Sequence, residues 1–86
     1  MNNDITLLIP AKNEKESLPF VLKEIEKIKI NCEILFVVEK TDTETIDIIR
    51  KFKKKIVFQV SSGYGDALIT GIKKIKTKYF CIFNAD

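Results

Sequence analysis

The sequence contains no histidine and only two cysteines, Cys32 and Cys81. A zinc site is therefore not expected, because its usual ligands are missing and no Cys-x-x-Cys pair occurs. Two isolated cysteines are typical of free thiols in a reducing compartment, although a single disulfide between them stays open. Cys81 lies within an apolar run, which predicts a buried thiol.

Long hydrophobic runs are also missing. No segment approaches the roughly 18 consecutive apolar residues of a membrane helix, and residues 1–4 lack the basic region of a secretory signal peptide. We therefore expect no transmembrane segment and a cytoplasmic location, with the cytoplasmic face of a membrane as an open alternative. A net charge of +3 is too small to predict nucleic-acid binding, and we expect none.

The chain is long enough for one small domain. It has 86 residues, of which 45% are hydrophobic and 31% are charged. This composition supports a compact core and argues against disorder. We predict a single domain over residues 1–86.

Strand-like and helix-like segments alternate along the chain. Four apolar runs, at residues 5–9, 33–38, 56–60 and 79–83, are short and continuous, as in strands covered on both faces. Helical spacing of apolar residues fills the three intervals between them. The predicted helices begin near Ser17, near Thr43 or Thr45, and near Gly65 or Asp66. The order β-α-β-α-β-α-β predicts an α/β fold with a parallel sheet.

Polar residues follow each predicted strand, at residues 12–14, 39–42, 61–66 and 84–86. Ligands of open α/β sheets bind at the carboxyl ends of the strands, although surface loops are polar in any protein. The third loop, Gly63-Tyr64-Gly65, lacks the third glycine of a dinucleotide fingerprint and the Gly-Lys-Ser/Thr of a nucleoside-triphosphate loop. It remains either a plain turn or a place where backbone approaches an anion.

The four loops resemble a known set of motifs in order and spacing. Pro10-Ala11-Lys12-Asn13-Glu14 is similar to a Pro-Ala-x-Asn-Glu start, and Val37-Val38-Glu39 is similar to Val-Val-Asp. Residues 63–71 resemble Gly-x-Gly-x-Ala-Leu-x-x-Gly, and residues 79–86 resemble a strand that runs into Asp-Ala-Asp. These are the motifs of family 2 glycosyltransferases. The Gly-Tyr-Gly form looks most like the dolichol-phosphate mannose synthase branch, whose acceptors are polyprenyl phosphates.

The resemblance implies the amino-terminal half of a Rossmann-like, three-layer GT-A fold, an incomplete nucleotide-sugar-binding domain. The implied donor is a nucleotide-diphosphosugar (a UDP- or GDP-sugar), and the implied acceptor is a lipid phosphate or a saccharide. The implied cofactor is Mg²⁺ or Mn²⁺, with Asp86 as its ligand. The implied nucleotide-sugar-binding residues are Pro10, Ala11, Asn13, Glu14, Glu39, Gly63, Gly65, Asn84, Ala85 and Asp86.

Individual roles follow from the same resemblance. Glu14 is expected to reach the ribose or base, and Glu39 to accept a hydrogen bond from a base N–H. The metal at Asp86 would neutralise the diphosphate leaving group. Asn84 and Lys40 depart from the family pattern, which has acidic residues at both positions. Lys40 is expected to pair with Glu39 or Asp42, or to attract a phosphate.

The catalytic base of this family lies beyond the Asp-x-Asp segment, so no residue of this chain is nominated for that role. An inert nucleotide-binding fragment or an interaction module therefore remains an alternative, because an exposed final strand would invite pairing with other chains. A nucleotidyltransferase is less favoured, since residues 10–14 contain no glycine where such enzymes carry a glycine-rich loop.

Overall fold

The computed structural model describes residues 4–12, 16–27 and 32–83, and none of the helices in that part is long or apolar enough to cross a membrane. Strands and helices alternate along these residues, as the sequence predicts. In chain order the elements are β1 (Ile5–Pro10), α1 (Leu18–Glu26), β2 (Glu33–Val38), α2 (Thr43–Lys51), β3 (Lys55–Phe58), α3 (Tyr64–Lys74) and β4 (Tyr79–Ile82).

The four strands form one parallel sheet in the order β3-β2-β1-β4. Leu8 lies opposite Leu35 across the β1–β2 pair and opposite Ile82 across the β1–β4 pair. The chain moves outward from β1 through β2 to β3, and then returns to the other side of β1. This reversal makes a topological switch point next to β1, and it confirms the predicted α/β fold.

The sheet is covered on both faces at its centre. Ile9, Phe36 and Val38 pack into one cluster with α1 and α2, whereas Leu8 and Val37 pack into a second cluster with α3. Successive residues of a strand point to opposite faces, so an uninterrupted apolar run supplies both clusters. The arrangement explains why the apolar residues of β1 and β2 are continuous rather than alternating.

The edge strand β4 departs from this pattern. All four of its residues are exposed, because no described helix packs over them. The prediction that every strand is covered on both faces is therefore wrong for β4. The prediction of a buried Cys81 fails for the same reason, since that side chain is exposed. Both cysteines are free thiols, with Cys32 half-buried.

Several element boundaries differ from the predicted ones by one or two residues. β3 ends at Phe58 instead of residue 60, and Val60 is 90% exposed. The N-cap of α2 is Asp42, whereas Thr45 lies buried inside the helix. The third helix begins one residue early, at Tyr64. Next to the end of β3, the side chain of Gln59 donates to backbone carbonyls of the next loop.

Helix α3 approaches the sheet most closely at Gly71. A Cβ atom added there would meet Leu8 Cδ1 well inside van der Waals contact and would lie 2.9 Å from Val37 Cγ2. Both of these neighbours are fully buried, so they have little room to move. The absence of a side chain at Gly71 therefore sets the distance between helix and sheet.

We expect Gly71→Ala to lower the free energy of unfolding relative to Gly65→Ala by about 1–3 kcal/mol, because it overpacks the α3 cluster. Both changes replace a glycine of α3, so both gain helix propensity. An added Cβ at Gly65 meets nothing within 4 Å. Urea unfolding of the two variants measures the difference. Equal midpoints would show that Leu8 and Val37 accommodate the methyl group.

Candidate functional site

The carboxyl ends of β1, β2 and β3 meet at one rim of the sheet. Backbone hydrogen bonds continue past the strands there: Ala11 N–H donates to Val37 O at 3.0 Å, and Gln59 N–H donates to Val38 O at 2.9 Å. These bonds hold the start of each loop against the neighbouring strand. Side chains that follow the strands are therefore placed by the sheet itself, as expected for ligand sites of α/β proteins.

An ion pair joins two of these loops. Lys12 Nζ, after β1, lies 3.5 Å from Glu39 Oε2, after β2. The lysine side chain is 62% exposed and the glutamate side chain is 19% exposed. Oε2 is buried and accepts no hydrogen bond from the described residues. Buried polar atoms normally have a hydrogen-bond partner, and the nearby ammonium group of Lys12 compensates part of the charge on this oxygen.

The ion pair lies in a cleft of about 290 Å³. Its volume is near the lower limit of about 300 Å³ for small-molecule sites, which suits one flat ring better than a complete nucleotide-sugar. The cleft runs from the end of β1 to the first turn of α2. Its lining residues are Lys12, Glu39, Thr41, Asp42, Thr43 and Glu44.

The lining of the cleft is rich in hydrogen-bond acceptors. Glu39, Asp42 and Glu44 bring carboxylates, and Lys12 brings one ammonium group. Hydroxyl groups of two threonines complete the polar surface. Such a lining favours a neutral ligand that presents N–H donors over an anionic one.

Lys12, rather than Lys40, is the partner of Glu39. Of the alternatives expected for Lys40, the pair with Glu39 is therefore not the one formed, and those with Asp42 or a phosphate stay predictions. Lys40 is the next residue along the chain and is exposed, whereas Lys12 reaches Glu39 from the neighbouring strand. The sequence carries a partial signal for this contact, because Lys12 and Glu39 follow strands that the alternation predicts to be adjacent.

The loop after β3 is fixed by the side chains of Gln59, which lies outside the polar loop residues 61–66, and Asp66, which lies within them. Gln59, which is 8% exposed, donates from Nε2 to Ser61 O at 3.1 Å and to Gly63 O at 3.0 Å. Asp66 Oδ2 accepts from the Ser61 N–H at 3.1 Å and from the Thr70 hydroxyl at 3.3 Å. A glutamine at the end of an apolar run was the available signal for this role.

The backbone conformation at residue 63 requires a glycine. It is the N-cap of α3 with φ 107°, a value that other residues rarely adopt. The loop therefore opens directly into the helix, at the end where the helix dipole favours a negative charge. Gly63 and Gly65 do not line the cleft described above.

The predicted site residues divide into two groups. Pro10, Ala11, Glu39, Gly63 and Gly65 lie at or just after the carboxyl ends of β1, β2 and β3. Glu39 lines the cleft, and Ala11 is buried in the α1–α2 cluster. The other predicted residues lie outside the described part of the chain: Asn13, Glu14, Asn84, Ala85 and Asp86.

The described residues do not form a metal site. No group of three histidine, cysteine, aspartate or glutamate side chains within them is close enough to hold an ion. The cleft carboxylates therefore do not fit Mg²⁺ or Mn²⁺ on their own. The predicted metal ligand, Asp86, lies outside that part of the chain.

We expect the Ser61 amide resonance to report a low pKa for Asp66. The Ser61 N–H hydrogen bond lowers the pKa of that carboxyl, and burial opposes the shift. Because the pKa of Asp66 in the folded state lies below the unfolded value of about 3.9, the ionised carboxylate stabilises the fold at pH values above the unfolded value. This stabilisation is lost as the pH falls through the folded-state pKa. An amide titration by NMR should therefore show a midpoint below about 3.9.

Asp66→Asn is the matched control for this titration, because the amide keeps an acceptor oxygen but has no proton to lose in this range. The Ser61 signal of that variant should not titrate. A wild-type midpoint at or above the value of an unstructured aspartate would show that the hydrogen bond between Asp66 and Ser61 is not formed in solution.

Comparison with known proteins adds an independent finding to this geometry. Relatives of the chain include an uncharacterized glycosyltransferase of Mycobacterium bovis and an uncharacterized glycosyltransferase of Mycobacterium tuberculosis. Each is 28% identical over 82 residues, covering 95% of this chain. The chain spans only 36% of the length of these relatives. No solved structure matches the chain.

The family assignment follows from the extent of a second match. The family model described as glycosyl transferase family 2 matches residues 6–86. The match begins within β1, runs through every later element of the sheet, and includes each loop at the rim. This chain therefore belongs to glycosyl transferase family 2.

Proposed function

We propose that this chain forms the nucleotide-sugar-binding part of an enzyme that transfers a sugar from a nucleotide-diphosphosugar to an acceptor. The proposed donor is a UDP- or GDP-sugar. The proposed acceptor is a polyprenyl phosphate, as in the dolichol-phosphate mannose synthase branch, or a growing saccharide. Family membership supports the reaction class, and the site geometry supports the part that binds the nucleoside.

The observation that carries the proposal is the carboxylate of Glu39 at the sheet rim. Its Oε2 atom is ion-paired with Lys12 and accepts no hydrogen bond from the described residues, and the residue lines a ring-sized cleft. A nucleobase N–H in the cleft would donate to this carboxylate, and a charge-assisted hydrogen bond is stronger than a neutral one. The base of the donor would then lie between Lys12 and the first turn of α2.

The remaining assignments are proposals about the rest of the rim. Pro10 would border the nucleoside, and Ala11, which is buried in the α1–α2 cluster, would anchor the loop beneath it. Asn13 would order the loop, and Glu14 would reach the ribose or base. The N–H groups that follow Gly63 and Gly65 would face the phosphates. Asn84, Ala85 and Asp86 would lie beside the diphosphate, and a Mg²⁺ or Mn²⁺ ion on Asp86 would supply positive charge to the leaving group.

A second candidate is an interaction module that binds a nucleotide without turnover. The exposed edge strand favours it, because Tyr79 is 57% exposed and Phe80 is 44% exposed. An apolar strand with one edge unpaired among the described residues can pair with another chain. Metal-dependent binding of UDP or GDP accompanied by sugar transfer would reject this candidate.

We expect the full-length protein to transfer label from a radiolabelled UDP- or GDP-sugar to a polyprenyl phosphate or saccharide when Mg²⁺ or Mn²⁺ is supplied. Donor hydrolysis without an acceptor should be much slower. Thin-layer separation of lipid-linked and free sugar measures the products. Absence of transfer from either donor to any of these acceptors, by protein that is folded by circular dichroism, would contradict the proposed reaction.

We expect Asp86→Ala to abolish the stimulation of transfer by Mn²⁺, because the change removes the carboxylate proposed to hold the ion. Asp47→Ala is a suitable control, since Asp47 is exposed on α2 and is assigned no role. A manganese titration of both variants makes the comparison. Undiminished stimulation of the Asp86 variant would place the metal on other residues.

A further inference from the structure

The positive charge of the chain is concentrated in one segment. Residues 67–83 contain four lysines and no acidic residue, whereas the rest of the chain has eleven basic and twelve acidic residues. All four lysines are exposed, and none forms an ion pair within the described part of the chain. They are Lys73, Lys74, Lys76 and Lys78. This segment is therefore the part of the surface where a negatively charged partner meets the least repulsion.

The helix dipole accounts for only part of this pattern. Lys73 and Lys74 lie in the last turn of α3, where the carbonyl end of the helix favours a cation. Lys76 and Lys78 lie beyond the helix, in the loop that leads to β4. Because the effect of the dipole falls off within the last turn, it does not explain the two loop lysines.

Helix α3 also carries apolar side chains on its outer face. Its buried residues Ala67, Thr70 and Gly71 face the sheet. Ile69 is 56% exposed and Ile72 is 42% exposed, and their spacing of three residues makes them neighbours on the other side of the helix. A helix that faces only water normally carries polar residues there. The outer face of α3 is therefore apolar along the helix and basic at its end.

We propose that the outer face of α3 and the loop after it bind the surface of an anionic lipid bilayer. We call these residues the α3 surface: Ile69, Ile72, Lys73, Lys74, Lys76 and Lys78. The two isoleucines would enter the boundary between head groups and acyl chains, and the ammonium groups would contact lipid phosphates. A cluster of four or more basic residues on an amphipathic helix is typical of binding to anionic lipids.

The loop that carries Lys76 and Lys78 is held in place before any lipid binds. The Thr77 hydroxyl donates to Tyr79 O at 2.8 Å and lies 2.7 Å from the Thr6 hydroxyl of β1. Thr6 is itself buried in the sheet. Because the loop backbone is already fixed, binding has to order only the lysine side chains, which lowers its entropic cost.

A single-stranded nucleic acid is another polyanion that four lysines could attract, but the neighbouring side chains favour a bilayer. The Lys78 ammonium group lies 5.5 Å from the centre of the Tyr79 ring, so it occupies one face on which a base could stack. Ile69 and Ile72 offer no ring to a base, whereas both suit acyl chains. Tyrosine is also typical of the boundary between membrane and water.

The α3 surface is separate from the candidate site. Helix α3 packs on the sheet face opposite to α1 and α2. The loop after α3 lies at the amino ends of the strands, since Tyr79 pairs with Ile5, whereas the cleft lies at their carboxyl ends. A bilayer on the α3 surface leaves the cleft open. We therefore expect membrane binding and nucleotide binding to be independent, and this inference does not rest on the proposed function.

Co-sedimentation of the full-length protein with lipid vesicles tests the proposal. One set of vesicles is pure phosphatidylcholine, and the other contains equal parts of phosphatidylcholine and phosphatidylglycerol. We expect partitioning into the anionic set to be about tenfold stronger or more at low salt, because each lysine is attracted to the negative surface. High salt should remove most of this difference. Equal partitioning into the two sets at low salt would contradict the proposal.

A paired variant locates the contact on α3. Lys73→Gln combined with Lys74→Gln should reduce partitioning into anionic vesicles by about tenfold or more. Arg50→Gln combined with Lys51→Gln is the matched control, because it removes two charges from the last turn of α2, on the other face of the sheet. Equal losses in the two double variants would indicate attraction by net charge alone and would overturn the assignment to α3.

The apolar contribution has its own comparison. Ile69→Gln combined with Ile72→Gln should weaken partitioning, since less apolar surface enters the bilayer. Phe20→Gln is the control: Phe20 is 74% exposed on α1 and should not contribute. Circular dichroism checks that each variant is folded. A double isoleucine variant that partitions as strongly as the Phe20 variant would rule out insertion of the α3 face.

Other occupants of the α3 surface give different results, and each would overturn the bilayer proposal. Binding of single-stranded RNA that is lost in the Lys73 and Lys74 double variant, without binding to vesicles, would assign the surface to nucleic acid. A dimer in analytical ultracentrifugation that dissociates in the Ile69 and Ile72 double variant would assign it to a second copy of the chain. Isothermal titration with UDP and GDP measures the proposed nucleotide site separately, so failure of one proposal is distinguishable from failure of the other.

Discussion

The pairing of β1 with β2 at the centre of the sheet is the constraint on which the rest of the structure depends. Leu8 and Val37 face α3, while Ile9 and Val38 face α1 and α2, and all four side chains are fully buried. A strand pair buried on both faces cannot shift by one residue without moving both cores. The loops that follow the two strands are consequently fixed relative to each other.

Because the two strands are fixed relative to each other, the charged side chains of Lys12 and Glu39 that follow them are also held close together. The Ala11 N–H bond to Val37 O carries the β1–β2 pairing one residue beyond the strand. Lys12 is the next residue, and Glu39 follows Val38, so the sheet register brings their side chains together. A partly buried carboxylate costs desolvation energy. Burial of the apolar core beneath the carboxylate offsets this desolvation energy.

The element order and the sheet type could be predicted from the sequence because β1, β2 and the helices carry strong local patterns. Prediction failed where tertiary context decides. The apolar run of β4 resembles that of β2, yet β2 lies between two strands while β4 lies at an edge, and no local pattern encodes that difference. Gln59 was missed for a related reason, since its hydrogen bonds go to carbonyls of a loop whose path depends on the glycine at residue 63.

The candidate site shows the same difference between what a local sequence pattern predicts and what tertiary contacts decide. The sequence places Glu39 at the end of a strand, but its nearest cation along the chain is Lys40, and its actual partner is Lys12. The structural partner matters for the site, because Lys12 comes from the loop after β1 and therefore joins the two loops that border the cleft. The pairing of two strands thus places an ammonium group beside a carboxylate, which neither loop could do alone.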